Sequence, residues 1–351
     1  MINSNMKPTI VRKGHLAKKI VIVDGQPGCG KTVLSPIISS MDRVELLSYS
    51  FEIEFICRLF HLQKIEQDAA VAMVKMLTDH KLYQTMMGRD TNFRYSDLSS
   101  VFYDSSPWRY FMRIFQEGDM AIPGRINKQR PILNLTTHDL LGFSEPIFRG
   151  LGERVVLIEV IRHPLYMLIQ QTLNFERLLD NPRDIQVSIK YGKSQLPYFA
   201  NGWEEIFEKS NLVEKSIYSI ARCKELTDLM RTKLKDNYGK QIITIPFESF
   251  VLKPWPYIRK IETVLESRIT HKTKKVMKKQ KVPRKKISDS ISLAIYKRCG
   301  WEPPEKNLTE QQELDKRRQF AIDNGASRDA LETLDKLRND YEKNYFSFEE
   351  I

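Results

Sequence analysis

Short runs of apolar residues recur along the first two thirds of the chain and predict the strands of a sheet. The clearest is Lys19–Asp24 (KIVIVD), where four consecutive β-branched residues lie between two charged ones. An uninterrupted run of this kind is typical of a strand that is buried on both faces. Similar runs predict further strands at 44–48, 131–136, 154–160 and 241–246.

Segments with helical spacing separate these strands. Between residues 52 and 80, apolar side chains such as Phe55, Leu59 and Val74 recur with the spacing of a helix. Helices are also predicted at 33–40, 211–235 and 255–265. Residues 88–106 are polar and aromatic and predict a loop. The segment 310–345 is expected to be helical, charged and peripheral, and no strand is predicted beyond 270. Strands that alternate with helices predict an α/β fold with three layers, α/β/α, around a central, mainly parallel sheet.

The length of 351 residues, 41% of them hydrophobic, is enough for one large core. We expect a single domain, with its core at about 17–270 and a basic, helical extension at about 271–351. No apolar run approaches the roughly 20 residues that span a bilayer, and the polar first residues lack the core of a secretory signal. These features predict no membrane span and a cytoplasmic location.

The cysteines are scattered, without a C-x-x-C pair, which argues against a disulfide scaffold and a structural zinc site. They are Cys29, Cys57, Cys223 and Cys299. The net charge of +12 is concentrated in His271 to Lys286 (HKTKKVMKKQKVPRKK). Such a run attracts polyanions, or it is the solvated face of a helix. Because no motif that reads DNA or RNA accompanies it, we expect no sequence-specific nucleic acid partner.

A glycine-rich loop follows the first predicted strand and precedes a predicted helix. Residues 25–32 (GQPGCGKT) satisfy the pattern G-x-x-x-x-G-K-[ST] in the context that this motif requires. Glycines let the backbone curl so that its N–H groups surround phosphate oxygens, and the helix N-terminus adds partial positive charge. The loop therefore predicts a P-loop domain that binds a nucleotide, but it does not identify the reaction. The phosphate-binding candidates are Gly25, Gly28, Cys29, Gly30, Lys31 and Thr32.

An ATP-dependent kinase or NTPase would need Mg²⁺, held by Thr32 and by an aspartate at the end of a neighbouring strand. Asp139 lies a few residues past its predicted strand, and Glu159 lies within one. Neither has the expected position, but the kinase alternative stays open, with Asp139 as the candidate metal ligand.

Three later segments follow predicted strands and give a second interpretation. They read Thr137-His138, Arg162-His163-Pro164-Leu165 and, from Phe247 to Pro254, FESFVLKP. With the glycine-rich loop, they occur over roughly residues 20 to 265 in the order found in nucleotide-dependent sulfotransferases. The chain resembles that family.

The resemblance implies transfer of a sulfuryl group from 3′-phosphoadenosine 5′-phosphosulfate (PAPS) to a hydroxyl acceptor, with adenosine 3′,5′-bisphosphate as product and no required metal. His138 would be the general base, a task for which an imidazole is well suited. Arg162 would bind the 3′-phosphate, and Lys31 with the loop N–H groups would stabilise the leaving oxygen. A histidine packed at a strand end and a structural arginine ion pair are the alternatives for His138 and Arg162. Glu248 is interpreted as structural.

The chain departs from the family pattern at three places. Gln170 replaces a serine eight residues after the arginine and becomes the candidate phosphate contact there. Gly28 stands where the family has its loop lysine, and Lys31 instead takes the ATPase position, which favours the kinase alternative. Arg284-Lys285-Lys286 is the candidate replacement for a C-terminal basic nucleotide-binding segment of the family.

The acceptor side is predicted from composition. Residues 88–97 contain the arginines, amides and aromatic residues that sugar binding uses, and surface-loop composition explains them equally well. Arg89, Arg94 and Trp108 are the acceptor-binding candidates, with a glycan or another acidic molecule as a candidate acceptor. A third function class is a non-catalytic module that binds polyanions through the basic run at 272–286.

Overall fold

The computed structural model describes residues 7–95, 97, 99–179, 181–289, 305 and 307–346. Cys299, Ser96 and Leu98 lie outside the described residues. Within this part of the chain, five parallel strands form a central sheet and two others form an antiparallel hairpin. The strands are β1 (Lys19–Asp24), β2 (Ser48–Tyr49), β3 (Ile132–Thr136), β4 (Val155–Ile161), β5 (Ser188–Tyr191), β6 (Ser194–Pro197) and β7 (Ile242–Pro246).

The strand order β2-β3-β1-β4-β7 places β1 at the centre of the sheet. Ile20 pairs with Leu133 of β3 on one side and with Val155 of β4 on the other. The chain therefore moves to opposite sides of β1 in its later crossovers. In open parallel sheets, ligands bind at such a switch point, outside the carboxyl ends of the strands. The glycine-rich loop leaves β1 at this point.

Helices cover both faces of the sheet. Val21 and Val23 face one apolar layer, whereas Ile20 and Ile22 face the other, as the alternation along a strand requires. The predicted three-layer α/β/α fold with a central parallel sheet is thus confirmed. The helices are α1 (Lys31–Ser39), α2 (Phe51–His61), α3 (Gln67–Met87), α4 (Pro107–Arg113), α5 (Ala121–Gln129), α6 (Glu145–Leu151), α7 (Pro164–Leu178), α8 (Glu204–Lys209), α9 (Leu212–Tyr238), α10 (Phe247–Leu252), α11 (Trp255–Leu265), α12 (His271–Lys279), α13 (Glu310–Asp323) and α14 (Arg328–Asn344).

Several element boundaries differ from the sequence prediction. The second strand is Ser48–Tyr49 and not 44–48, since Val44 forms only an isolated bridge to Ile132. The helix predicted at 52–80 is two helices, α2 and α3, because the backbone turns at Gln63 with a positive φ of 56°. Helix α7 and the hairpin β5–β6 were not predicted.

The C-terminal helices α13 and α14 are not peripheral, contrary to the prediction. Leu314 of α13 and Leu334 of α14 are fully buried in one apolar cluster with Leu165 and Leu168 of α7. Because α7 begins directly after β4, this packing brings the C-terminal helices next to the carboxyl edge of the sheet. None of the helices in the described part of the chain has both the length and the apolar character that crossing a bilayer requires.

Candidate functional site

The glycine-rich loop has the backbone conformation that its glycines were predicted to allow. Gly25, Gly28 and Gly30 all have positive φ, of 142°, 87° and 98°. Helix α1 begins at Lys31, directly after Gly30, and no side chain caps its N-terminus. The first turn of a helix carries N–H groups without an intrahelical partner and a partial positive charge. The loop therefore ends in a site that suits an anion.

Gly25 and Gly30 are also required because of their neighbours. A β-carbon at Gly25 would overlap the carbonyl oxygen of Val160 on β4, and one at Gly30 would overlap the ring of Phe247. The loop is thus pressed against the ends of β4 and β7. Cys29 is buried behind it, and burial raises the pKa of its thiol.

Lys31 and Gln170 both lie at the loop. The Lys31 ammonium donates to the carbonyl of Gly25, so its charged end folds back over the loop. A β-carbon at Gly28 would lie 3.4 Å from Oε1 of Gln170, so the Gln170 amide lies beside the loop, and its contact with a phosphate stays a prediction. Its neighbour Gln171, which sequence reasoning missed, donates to the carbonyl of Pro27 at 3.2 Å.

Arg162 joins the end of β4 to the loop. Its Nη1 donates to the Gly28 carbonyl at 2.9 Å, and its guanidinium lies 4.5 Å from the ring centre of Phe247. Its Nε is 3.7 Å from Oε1 of Glu248, although that nitrogen has no hydrogen-bond partner. Arg162 therefore fits both interpretations: it is close to the carboxylate of Glu248, and its Nε is left to bind a phosphate. Its role as a phosphate ligand stays a prediction.

Two further arginines converge on Arg162. Arg284 lies over Phe247 at 5.4 Å, and Arg317 of α13 lies over Tyr166 at 4.7 Å, a ring that Arg162 also contacts. Burial, and to a smaller extent Arg162, lowers the pKa of Arg284 to about 10, and the same causes lower the pKa of Arg317. Three guanidiniums this close together repel one another, and an anion bound among them would reduce that repulsion.

Buried carboxylates hold this arginine cluster in place. Glu313 pairs with Arg317 at 2.7 Å. Glu248 is fully buried and accepts from the hydroxyl of Tyr341 on α14 at 2.5 Å, in agreement with its predicted structural role. Sequence reasoning missed Arg317 and Tyr341 because it placed the C-terminal helices outside the core. The candidate Arg284 was proposed only by analogy, and the structure brings it to Arg162.

His138 lies at the end of β3, on the other side of the loop, and Glu54 of α2 orients it. Glu54 Oε1 lies 3.2 Å from Nδ1 of His138 and accepts from the His138 backbone N–H at 3.0 Å. Since a carboxylate can only accept, Nδ1 carries the proton and Nε2 is left as the basic nitrogen. Arg58 pairs with Glu54 at 2.8 Å and donates to the His138 carbonyl. No sequence signal pointed to Glu54.

Two aromatic rings flank the imidazole. Tyr49 and Phe51 are nearly parallel to it, at 6.1 and 5.9 Å between ring centres. The imidazole is thus bordered by two rings and hydrogen-bonded to Glu54, and it lines a cavity.

Asp139 follows His138 and lines the same cavity as that imidazole and the loop residues Gln26 and Pro27. Its backbone has a φ of 53°, and its Oδ1 is buried without a hydrogen-bond partner. Burial, and secondarily the carboxylate of Asp24, raise the pKa of Asp139 to about 6, against the opposing effect of Lys31. Asp24 itself is tied to the turn after β3, where it accepts from the N–H groups of Leu140 and Leu141. The kinase alternative, with Asp139 and Thr32 as magnesium ligands, stays a prediction.

A cavity of about 490 Å³ opens beside His138 and Asp139. Its lining mixes charged and amide side chains with aromatic and aliphatic ones, and most of the exposed lining surface is apolar. The apolar lining comes from α2, from α7 and from the segment around the hairpin, and consists of Phe51, Phe55, Phe175, Leu178, Leu179, Ile185, Tyr198 and Phe199. A second, narrow cavity of about 70 Å³ lies between the loop, Arg162 and α14. Asp139 lines both cavities.

The predicted acceptor residues do not line the cavity beside His138. Arg89 lines a neighbouring cavity, and Glu52 lines both that cavity and the one beside His138. Arg94 pairs with Asp97 at 3.6 Å, and Trp108 is 71% exposed. The structure therefore brings together the predicted base, loop and arginine, but not these three side chains. Their role in acceptor binding stays a prediction.

Comparison with known proteins gives matches among solved structures only. No family model and no curated protein matches the chain. The sulfotransferase STF9 from Mycobacterium avium is 13% identical, with a TM-score of 0.42 over 94% of this chain and 77% of that one. The sulfotransferase domain of the Synechococcus PCC 7002 olefin synthase is 11% identical, with a TM-score of 0.42 over 94% and 98%. Mouse sulfotransferase SULT7A1, solved in complex with PAP, is 9% identical, with a TM-score of 0.36 over 95% and 87%. These solved structures to which the chain is similar are sulfotransferases, the family that its sequence resembles.

Proposed function

We propose that the chain is a sulfotransferase that moves a sulfuryl group from PAPS to the hydroxyl of an acceptor. One arrangement carries the proposal. The phosphate loop lies between a second cationic cluster, around Arg162, and a carboxylate-oriented imidazole, His138. A nucleotide with phosphates at two positions fits the loop and the cluster, and the imidazole is available for the acceptor.

The donor would be held at both of its anionic ends. The loop and the start of α1 would bind the 5′-phosphosulfate, whereas Arg162 and Arg284 would bind the 3′-phosphate. The Nε atoms of Arg162 and Arg284 are buried without a hydrogen-bond partner and are therefore available to donate to a bound phosphate. Gln170, beside the loop, is the further contact proposed for the donor.

Transfer would proceed by in-line attack. As the acceptor oxygen bonds to sulfur, its proton passes to Nε2 of His138, and the bond between sulfur and the bridging phosphate oxygen breaks. The negative charge left on that oxygen would be stabilised by Lys31, once it releases the Gly25 carbonyl, and by the N–H groups of the loop. Glu54 would stabilise the imidazolium that forms.

The acceptor would carry its hydroxyl on an aromatic or aliphatic skeleton. Most of the exposed surface of the 490 Å³ cavity is apolar and can bury such a skeleton, while the carboxylates, amides and arginines among its lining residues can bind polar substituents of the acceptor. Because of this cavity, phenols and aliphatic alcohols are the first acceptors to test, before glycans.

Titration calorimetry tests the donor. We expect adenosine 3′,5′-bisphosphate to bind in the presence of EDTA, and Arg162→Gln to weaken it at least tenfold, because a charge-assisted contact to the 3′-phosphate is lost. Binding of ATP that requires Mg²⁺, with no binding of the bisphosphate, would instead establish the kinase alternative.

Turnover with a sulfur-labelled donor and a panel of phenols and aliphatic alcohols tests the base. We expect His138→Ala to lower kcat by about 10²- to 10⁴-fold, the usual contribution of a general base. Glu54→Gln keeps the shape but removes the charge that stabilises the imidazolium, and should lower kcat with little change in the KM of the donor. Full activity of His138→Ala would exclude it as the base.

A further inference from the structure

A patch of exposed aromatic side chains lies outside the site described above. We call the exposed rings of Phe93, Tyr95, Phe102, Tyr103 and Trp108 the aromatic patch. The rings contact one another: Tyr95 lies 5.7 Å from Phe102, and Phe102 and Trp108 both pack on the partly buried Phe111 at about 6 Å. They form one continuous surface.

Helix α4 extends this surface as an apolar ridge. Trp108, Met112 and Phe115 are 71%, 42% and 81% exposed and are spaced at i, i+4 and i+7, which places them on one helical face. The helical turn continues to Phe115, whose N–H donates to the Met112 carbonyl at 3.2 Å. Tyr110 and Arg113, on the opposite face, are buried and anchor the helix. The ridge is therefore held rigidly while its large apolar side chains face solvent.

A basic helix borders the patch. The ammonium of Lys272 on α12 donates to Ser106, at the start of α4, at 2.6 Å, and that of Lys279 lies 5.5 Å from the ring centre of Tyr103. Thr273 and Met277 are the buried side of α12, so its lysines face outward. The exposed lysines of this helix are Lys272, Lys274, Lys275, Lys278 and Lys279.

The basic helix carries no carboxylate of its own. No acidic residue occurs between 271 and 288. Within the patch segment, Asp97 pairs with Arg94 and Asp104 is buried, where it accepts from the N–H of Ser106 at 2.7 Å. The combined surface thus presents apolar side chains beside a row of exposed lysines.

We propose that the aromatic patch, the α4 ridge and α12 together dock the protein on an anionic membrane surface. Tryptophan, phenylalanine and methionine side chains enter the interface between headgroups and acyl chains, and lysines bind the anionic headgroups. An anionic membrane fits this surface because its headgroups complement the charge of α12 and its acyl chains can take up the apolar ridge. A single-stranded nucleic acid fits less well, because Met112 offers no planar face and the rings of the patch are tilted against one another by 39 to 58°.

The docking surface can be tested apart from donor binding, since none of its side chains belongs to the phosphate loop or the arginine cluster. Its test is sedimentation of the full chain with lipid vesicles. We expect binding to vesicles that contain about one third phosphatidylserine and little binding to phosphatidylcholine alone, with the difference lost at high salt.

Matched pairs of substitutions separate the apolar from the electrostatic contribution to vesicle binding. Trp108→Ser with Phe115→Ser, and separately Lys275→Glu with Lys279→Glu, should each lower the affinity for anionic vesicles at least tenfold. The apolar control is Ile206→Ser with Leu229→Ser, and the charge control is Lys235→Glu with Lys240→Glu, all exposed positions outside the patch. Neither control should change binding. Unchanged affinity for adenosine 3′,5′-bisphosphate would show that each variant is folded.

Tryptophan quenching by brominated lipids locates the contact. We expect quenching in anionic vesicles that Trp108→Phe abolishes, since phenylalanine keeps the ridge apolar but removes the fluorophore. Equal binding to neutral and anionic vesicles, or quenching that persists in Trp108→Phe, would overturn the proposal. Tight binding to single-stranded RNA that needs the lysines but not Trp108 and Phe115 would overturn it as well.

Discussion

His138 and Asp139 are adjacent in sequence, yet the structure gives them different surroundings. Glu54 holds the imidazole by a charged hydrogen bond, whereas Oδ1 of Asp139 has no partner and lies in a buried position. The carboxylate at position 139 is disfavoured by burial, and the left-handed backbone there adds strain for a residue other than glycine. Such local cost is typical of functional sites.

Asp139→Asn is predicted to stabilise the protein at neutral pH. The pKa of this carboxyl is raised from 3.8 to about 6, so the folded state binds the proton more tightly than the unfolded chain does, and stability falls as pH rises through this interval. Asparagine does not titrate, and the gain should be on the order of 2 kcal/mol at pH 8 and disappear below about pH 4. Urea unfolding between pH 4 and 8 measures it.

The exposed carboxyl of Asp236 provides the control, since Asp236→Asn should leave the pH dependence unchanged. A variant at position 139 that is less stable than the parent at every pH would mean that attraction to Lys31 outweighs burial.

At the level of residues, the sequence allowed prediction of groups that short patterns mark. The loop follows a defined spacing, and His138 and Arg162 follow strands. Glu54 and Arg317 could not be predicted, because each reaches the site from a helix that is far away in sequence and carries no local signal. Long-range contacts of this kind depend on packing, which a single sequence does not reveal.

Among the secondary-structure elements, the junction between β1 and α1 is the most constrained. It fits between β4 and Phe247 only because Gly30 has no side chain. The fully buried strands were predictable because their apolar runs are continuous. The hairpin β5–β6 was not, since its residues are mostly exposed and lack that pattern.

Gly30→Ala should destabilise the fold and abolish nucleotide binding. The added methyl group overlaps the Phe247 ring, and a φ of 98° is unfavourable for alanine, so we expect a loss of about 1–3 kcal/mol. Gly124→Ala in α5 is the control, because nothing lies within 4 Å of its added methyl and alanine favours a helix. Thermal unfolding compares the two. Normal bisphosphate binding by Gly30→Ala would mean that the loop does not touch the ligand.

Tyr341→Phe tests the contact between α14 and the arginine cluster. It removes the buried hydrogen bond to Glu248, and we expect a loss of about 1–2 kcal/mol in stability. Because Glu248 also lies beside Arg162, weaker binding of adenosine 3′,5′-bisphosphate should accompany that loss. Tyr257→Phe, which leaves this hydrogen bond intact, is the matched control. Equal stability of the two variants would show that α14 contributes nothing through this bond.

On the scale of the whole molecule, the positive charge falls into two regions with different environments. The arginine cluster is buried and screened little by salt, whereas the lysines of α12 are exposed and screened strongly. The net charge of +12 was readable from the sequence, but this division was not, because the arginines come from three distant segments.

Adenosine 3′,5′-bisphosphate should stabilise the folded protein by mass action, by about 2.7 kcal/mol at a ligand concentration of one hundred times Kd. At equal concentrations, adenosine 5′-monophosphate should stabilise it less, because it lacks the phosphate assigned to Arg162 and Arg284. In Arg284→Gln, the difference in Tm shift between the bisphosphate and the monophosphate should become smaller. Equal shifts of Tm for the two nucleotides in the parent protein would contradict the assignment of a 3′-phosphate site.

The hydrogen bond between Tyr341 and Glu248 has a consequence for truncated forms of the protein. A chain that lacks α14 would hold Arg162 and Glu248 without the helix that covers them. Truncation before Tyr341 would therefore leave the motif intact and the binding site unfinished.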